Sequence, residues 1–100
     1  MATELRVRLD IVIEETGLRP LLHALEQAGV SGYSVVDAVS GSGRHGRREP
    51  DHVAGVMANT IVFVLVRPEL ADDAVAAAKS VLSRFNGLVT TLEVTLHVPE

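Results

Sequence analysis

Six consecutive apolar residues, Ile61-Val62-Phe63-Val64-Leu65-Val66, mark the second half of this 100-residue chain. The run is short and β-branched, and Pro68 follows it. It predicts a central strand buried on both of its faces. Upstream, Leu5, Val7, Leu9, Ile11 and Ile13 alternate with Arg6, Arg8, Asp10 and Glu14, Val12 being the one apolar exception. That is a strand with one buried face. Thr16 reads as a helix N-cap; Leu18, Leu21, Leu22 and Leu25 follow at helical spacing, Pro20 falls in the first turn, and Gly29 is the stop. Ser31 to Val39 is the second strand. Beyond the 61–66 run, Leu70, Ala74, Val75, Ala78, Val81, Leu82 and Phe85 trace a second helix face. Asp72 and Asp73 sit in its first turn, and Asn86-Gly87 closes it. Leu92, Val94, Leu96 and Val98 alternate in a last strand.

The order β-α-β-β-α-β predicts an α+β, ferredoxin-like fold: a four-stranded antiparallel sheet with two helices on one face, in a single domain over residues 1–100. Two helices cover one face only. The 61–66 run leaves the other face apolar, and a second copy of the chain is the simplest cover, so a homo-oligomer is expected.

Composition removes several function classes. There is no cysteine, hence no disulfide framework, thiolate metal site or cysteine nucleophile. No apolar run approaches the roughly 18 residues of a membrane span, and the charged N-terminus lacks a signal-peptide core, so a cytoplasmic protein with no membrane insertion is expected. The net charge of −4 and only three aromatics (Tyr33, Phe63, Phe85) argue against nucleic-acid binding. No serine sits in a nucleophile elbow: Ser42 has glycine on both sides but lies between strands. Glu14-Glu15 and Asp72-Asp73 stand at helix starts, where they favour the dipole. His23, His45, His52 and His97 show no helical i, i+4 pair. No enzyme and no metal site is expected.

One segment, residues 41–57, is left without a regular pattern. Arg44, Arg47 and Arg48 put a charge of +3 into five residues, and subtracting this from −4 leaves −7 for the rest. Gly41 and Gly43 permit close backbone approach, successive N–H groups can form an anion nest, and arginine forks suit phosphate or carboxylate. The spacing is neither a Walker A loop nor a dinucleotide fingerprint. Gly-Ser-Gly-Arg-His-Gly-Arg-Arg therefore reads as an anion site on a loop between strands.

Three stretches resemble the PII signalling superfamily. Ala28-Gly29-Val30-Ser31-Gly32-Tyr33-Ser34-Val35 is similar to the approach to the second strand of PII proteins. Gly41-Ser42-Gly43-Arg44-His45-Gly46 resembles the start of their long T-loop, here about 41–57. Arg84-Phe85-Asn86-Gly87 falls where their B-loop follows the second helix. The loop has no tyrosine, Lys79 is the one lysine, and the chain ends without arginines, all departures from nitrogen-regulatory PII proteins. The shortened arginine-rich loop is more similar to carboxysome-associated PII (CPII) and SbtB-type PII-like proteins.

The resemblance implies a homotrimer with adenine nucleotides (ADP, AMP or ATP) in clefts between protomers. Gly32 and Ser34 would lie at the base of the cleft. Gly41, Gly43, Arg44 and His45 would meet the phosphates, and Asn86, Gly87 and Leu88 would come from the neighbouring wall. Arg47 or Arg48 would reach a terminal phosphate or a small anion such as bicarbonate. It further implies a regulatory role in inorganic carbon metabolism, with a bicarbonate transporter or a carboxysome component as partner. A trimeric CutA-like metal-binding protein and a nitrogen-regulatory PII are the alternatives on the same fold. An acylphosphatase-like enzyme needs an anion cradle after the first strand, where this chain has Glu14-Glu15-Thr16-Gly17.

Overall fold

The computed structural model describes residues 2–39, 41–43, 46–48 and 59–99. The alternating N-terminal segment forms β1 (Ala2–Glu14), and the chain turns through one 3-10 turn (Glu15–Gly17) into α1 (Leu18–Gln27). Then come β2 (Ser34–Val39), a small hairpin of β3 (Gly41–Gly43) and β4 (Gly46–Arg48), and β5 (Asn59–Val66). A 3-10 turn at Pro68–Leu70 leads into α2 (Ala71–Leu82), and β6 (Gly87–Val98) ends the described chain. The main sheet runs in the order β2-β5-β1-β6, every pair antiparallel. This is the ferredoxin-like α+β plan.

The core lies between one sheet face and the two helices. Leu9, Ile11 and Ile13 of β1 and Val62, Val64 and Val66 of β5 meet Leu21 and Leu25 of α1 and Ala74, Ala78 and Val81 of α2, all buried. At about 25 cal/mol per Å² of apolar surface removed from water, these side chains supply most of the drive to fold. The turn after α1 is locked by Gly29 at φ 106°, with Gly29 N–H donating to Glu26 O and Val30 N–H to Leu25 O. This paired arrangement needs a left-handed residue, which glycine supplies at least cost. Val30, buried, seats the chain before β2.

Four expectations need correction. Thr16 caps no helix: it is consumed in the 3-10 turn, and α1 starts after Gly17 without a side-chain cap. Gly17 is packed so closely that a Cβ would stand 2.7 Å from both Ile13 Cδ1 and Phe85 Cγ. Ser31 to Tyr33 precede β2, since the ladder begins with Ser34 opposite Phe63. Part of the 41–57 segment is regular, because Gly41, Ser42 and Gly43 pair with Arg48, Arg47 and Gly46. Asn86-Gly87 does not close α2, which ends at Leu82; Gly87 opens β6, which starts well before Leu92.

The 61–66 run is buried on one face of the protomer, not two. Val62, Val64 and Val66 face the helices, while Phe63 and Leu65 are 37% and 46% exposed on the other face. Cross-strand partners share a face. Val36, Ile61, Val12 and Leu88 therefore line up in one row, and Leu65, Arg8 and Leu92 in another. This open apolar surface is interrupted by Arg8, whose Nε and Nη2 donate to the two carboxylate oxygens of Asp10 at 2.9 and 3.1 Å.

One core position is electrostatically poor. The Thr60 hydroxyl is fully buried and has no hydrogen-bond partner among the described residues. Thr60→Val keeps the shape and removes the stranded group, so it is expected to stabilise the fold by about 1 kcal/mol. A thermal melt checks this; a gain of that size raises Tm by roughly 4–8 °C in a domain this small.

Candidate functional site

Two surfaces carry the sequence-predicted residues. The first lies at the β2 edge. Ser31, Gly32 and Tyr33 run outside the ladder, and with Arg8, Ser34, Phe63 and Leu65 they line a groove of about 410 Å³. A Cβ on Gly32 would meet nothing within 4 Å, so a ligand can reach the backbone there. Ser34 is exposed on the open face beside Phe63. Tyr33 projects the other way, toward α1, and its hydroxyl donates to Glu26 Oε2 at 3.2 Å. That bond, aided by desolvation and the negative charge of Glu26, holds the phenol above the ordinary tyrosine value of 10.0.

The second surface lies at the β6 edge. Glu14 N–H donates to Asn86 O at 3.0 Å, and Asn86 N–H donates to Glu14 Oε1 at 3.0 Å. This reciprocal clamp ties the turn after α2 to the end of β1. Gly87 pairs with Ile13 and lies against Val12 O. Leu88 is 54% exposed on the open face. Arg84 stacks its guanidinium 5.7 Å from the Phe85 ring centroid.

The protomer does not bring these two groups together. Gly32 and Ser34 sit at one edge of the sheet and Asn86, Gly87 and Leu88 at the other, with β5 and β1 between them. Three strand spacings make that roughly 14 Å. Gly41 and Gly43 lie in β3, and Arg47 and Arg48 in β4. Arg44 and His45 lie outside the described residues. Among the described residues no group of three His, Asp or Glu side chains is placed to hold a metal ion, and no helix is long and apolar enough to cross a membrane.

The sequence matches the family model for Nitrogen regulatory protein P-II over residues 6–96. The chain belongs to the P-II family. No curated protein matches it. Among solved structures, the P-II chain is similar to CPII, a nitrogen regulatory PII-like protein from Thiomonas intermedia K12 bound to ADP, AMP and bicarbonate. The TM-score is 0.85 at 23% identity, covering 95% of this chain and 91% of that one. CPII bound to ADP, AMP and acetate superposes with a TM-score of 0.80 at 23% identity, covering 99% and 95%. The apo form of CPII gives 0.78 at 21% identity, covering 98% of each chain.

Sequence reasoning missed half of what this P-II protomer builds at its β2 edge. Arg8, Glu26, Tyr33, Phe63 and Leu65 were absent from the expected site. A signal was present: Arg8 and Asp10 point to the open face by alternation, and the run places Phe63 and Leu65 on that face too. Glu26 and Tyr33 carry no such signal, because their contact depends on how the Gly29 turn folds α1 back onto the strand.

Proposed function

We propose that this P-II protein is a non-catalytic regulator, a single domain over residues 1–100, that binds adenine nucleotides between copies and displays the 41–57 segment as a T-loop. One observation carries the reading. The two groups of candidate ligand residues stand on opposite edges of a sheet whose open face is apolar. A ring of copies covers that face and sets the β2 edge of one protomer beside the β6 edge of the next. A trimer of this kind builds each cleft from Gly32 and Ser34 of one chain and Asn86, Gly87 and Leu88 of another. Gly41, Gly43, Arg44 and His45 supply donors to the phosphates, and Arg47 and Arg48 to a terminal phosphate or bicarbonate. The CPII structures, solved with ADP, AMP and bicarbonate or acetate, support this ligand class. A role in inorganic carbon metabolism in the cytoplasm follows from bicarbonate as second ligand, with a bicarbonate transporter or carboxysome component reading the loop. Ligands act by selecting loop conformations, with no bond made or broken.

The test is isothermal titration calorimetry with ATP, ADP, AMP and cyclic AMP, each with and without bicarbonate. Saturable binding near one site per chain, changed by bicarbonate, is the expected result. Arg44→Ala is expected to weaken the phosphate-bearing ligand by about 1–3 kcal/mol, the cost of unpairing a charged hydrogen bond. No binding of any adenine nucleotide defeats the reading.

A further inference from the structure

A second groove lies on the other side of the sheet, between the first turns of α2 and the strands β1 and β6. It encloses about 420 Å³. Its strand residues Val7, Val89 and Glu93 share a face with Leu9 and Ile11, which are buried under the helices. The groove is therefore on the face opposite the one that copies of the chain would cover, and it takes no part in the function proposed above.

Val7, Val75 and Val89 form its floor. Each is half-buried, packed on the core beneath and open to the groove above. Leu5 is two residues from Val7 on the same strand face, about 7 Å further along, and is 68% exposed. An apolar strip in a groove with a charged rim marks an interaction site, where single exposed side chains would not.

The rim decides what fits. Asp72 stands in the first turn of α2, where the helix dipole accounts for it. Glu93 has no such reason. It is opposite Val7, at a helix-facing position of β6 that alternation reserves for an apolar side chain. Among the described residues no ion pair reaches either carboxylate, and no cationic side chain lines the groove. A wholly apolar segment laid here would strip water from both carboxylates without pairing them, and an acidic one would be repelled. A cationic one is attracted, and the body of the chain adds to that pull: removing the +3 of Arg44, Arg47 and Arg48 from −4 leaves −7.

We propose that the groove between α2 and β6 docks a peptide segment of a partner protein, with an aliphatic side chain over Val7, Val75 and Val89 and a lysine or arginine against Asp72 and Glu93. The proposal stands whether or not the chain binds a nucleotide.

The experiment follows the valine methyl signals of the full, assembled chain by NMR. Two probes are titrated, the peptide acetyl-Lys-Leu-Lys-Leu-Lys-amide and its counterpart with glutamate in place of lysine. The lysine peptide is expected to shift the methyls of Val7, Val75 and Val89 saturably, more weakly as salt is raised, and the glutamate peptide to leave them in place. Asp72→Asn and Glu93→Gln should each weaken the lysine peptide by roughly two- to fivefold, the range for a solvent-exposed ion pair. Glu93→Lys should weaken it more than either, with the assembled mass and the thermal melt unchanged. No saturable shift up to about 1 mM lysine peptide overturns the proposal. Equal binding of the two peptides, or affinity unaltered in Glu93→Lys, overturns the role of the rim. A magnesium or calcium ion that alone produces the same shifts makes this a cation site instead. An assembled mass changed by Glu93→Lys makes it a contact between copies, and either result displaces the peptide.

Discussion

Gly87→Ala is expected to lose about 3 kcal/mol of stability, the upper range for forcing extra volume into a packed site. An added Cβ would stand 2.1 Å from Val12 O, 2.8 Å from Leu82 Cδ2 and 3.0 Å from Ile13 Cα. The leucine tip can rotate aside, but Val12 O and Ile13 Cα belong to a central strand and cannot. Relief must come from shifting the start of β6 away from β1, at a point where the Asn86–Glu14 clamp already fixes the turn. Total stabilities of 5–15 kcal/mol make this a large fraction, and the corresponding fall in Tm exceeds roughly 12 °C. Gly32→Ala is the internal control, since nothing lies within 4 Å of its Cβ, and its melt should match the parent within a degree or two. A Gly87→Ala protein that melts with the parent means that β1 and β6 are not in contact at this register.

Leu92→Asp is expected to abolish both assembly and nucleotide binding. Leu92 is 52% exposed in the protomer, opposite Arg8 in the row that includes Leu65. A carboxylate there costs a lone protomer little. Covered by another copy it is a buried charge, with a penalty of several kcal/mol. Light scattering should then show the 10.7 kDa chain in place of about 32 kDa, and titration with ADP should show no saturable heat. An unchanged assembled mass with Leu92→Asp would show that the open face is not the surface that copies share.

The regular elements were legible because their periodicities are clean. Leu9, Ile11 and Ile13 alternate, Leu21 and Leu25 repeat at one helical turn, and all five are buried as expected. Element ends were less so. Thr16 looks like a cap, yet it falls inside a 3-10 turn, and the next residue, Gly17, packs on Phe85, 68 residues away in sequence, a contact that no local pattern announces. The 61–66 run shows a limit of another kind: apolarity on two faces states that both will be covered, not that one chain covers both. The candidate site was legible as residue types but not as a place, because Ser34 and Leu88 acquire their separation only from the strand order β2-β5-β1-β6, which no local pattern encodes.

If the proposed split site is correct, that strand order also sets a stoichiometry. Two chains meeting once, edge to edge, join one pair of half-sites and leave the other two halves unmatched at the outer ends. Only when the arrangement closes on itself does every chain give one half and receive one. Full occupancy is therefore a property of closure, and the flat arithmetic of one ligand per chain would be the signature of a ring with no ends.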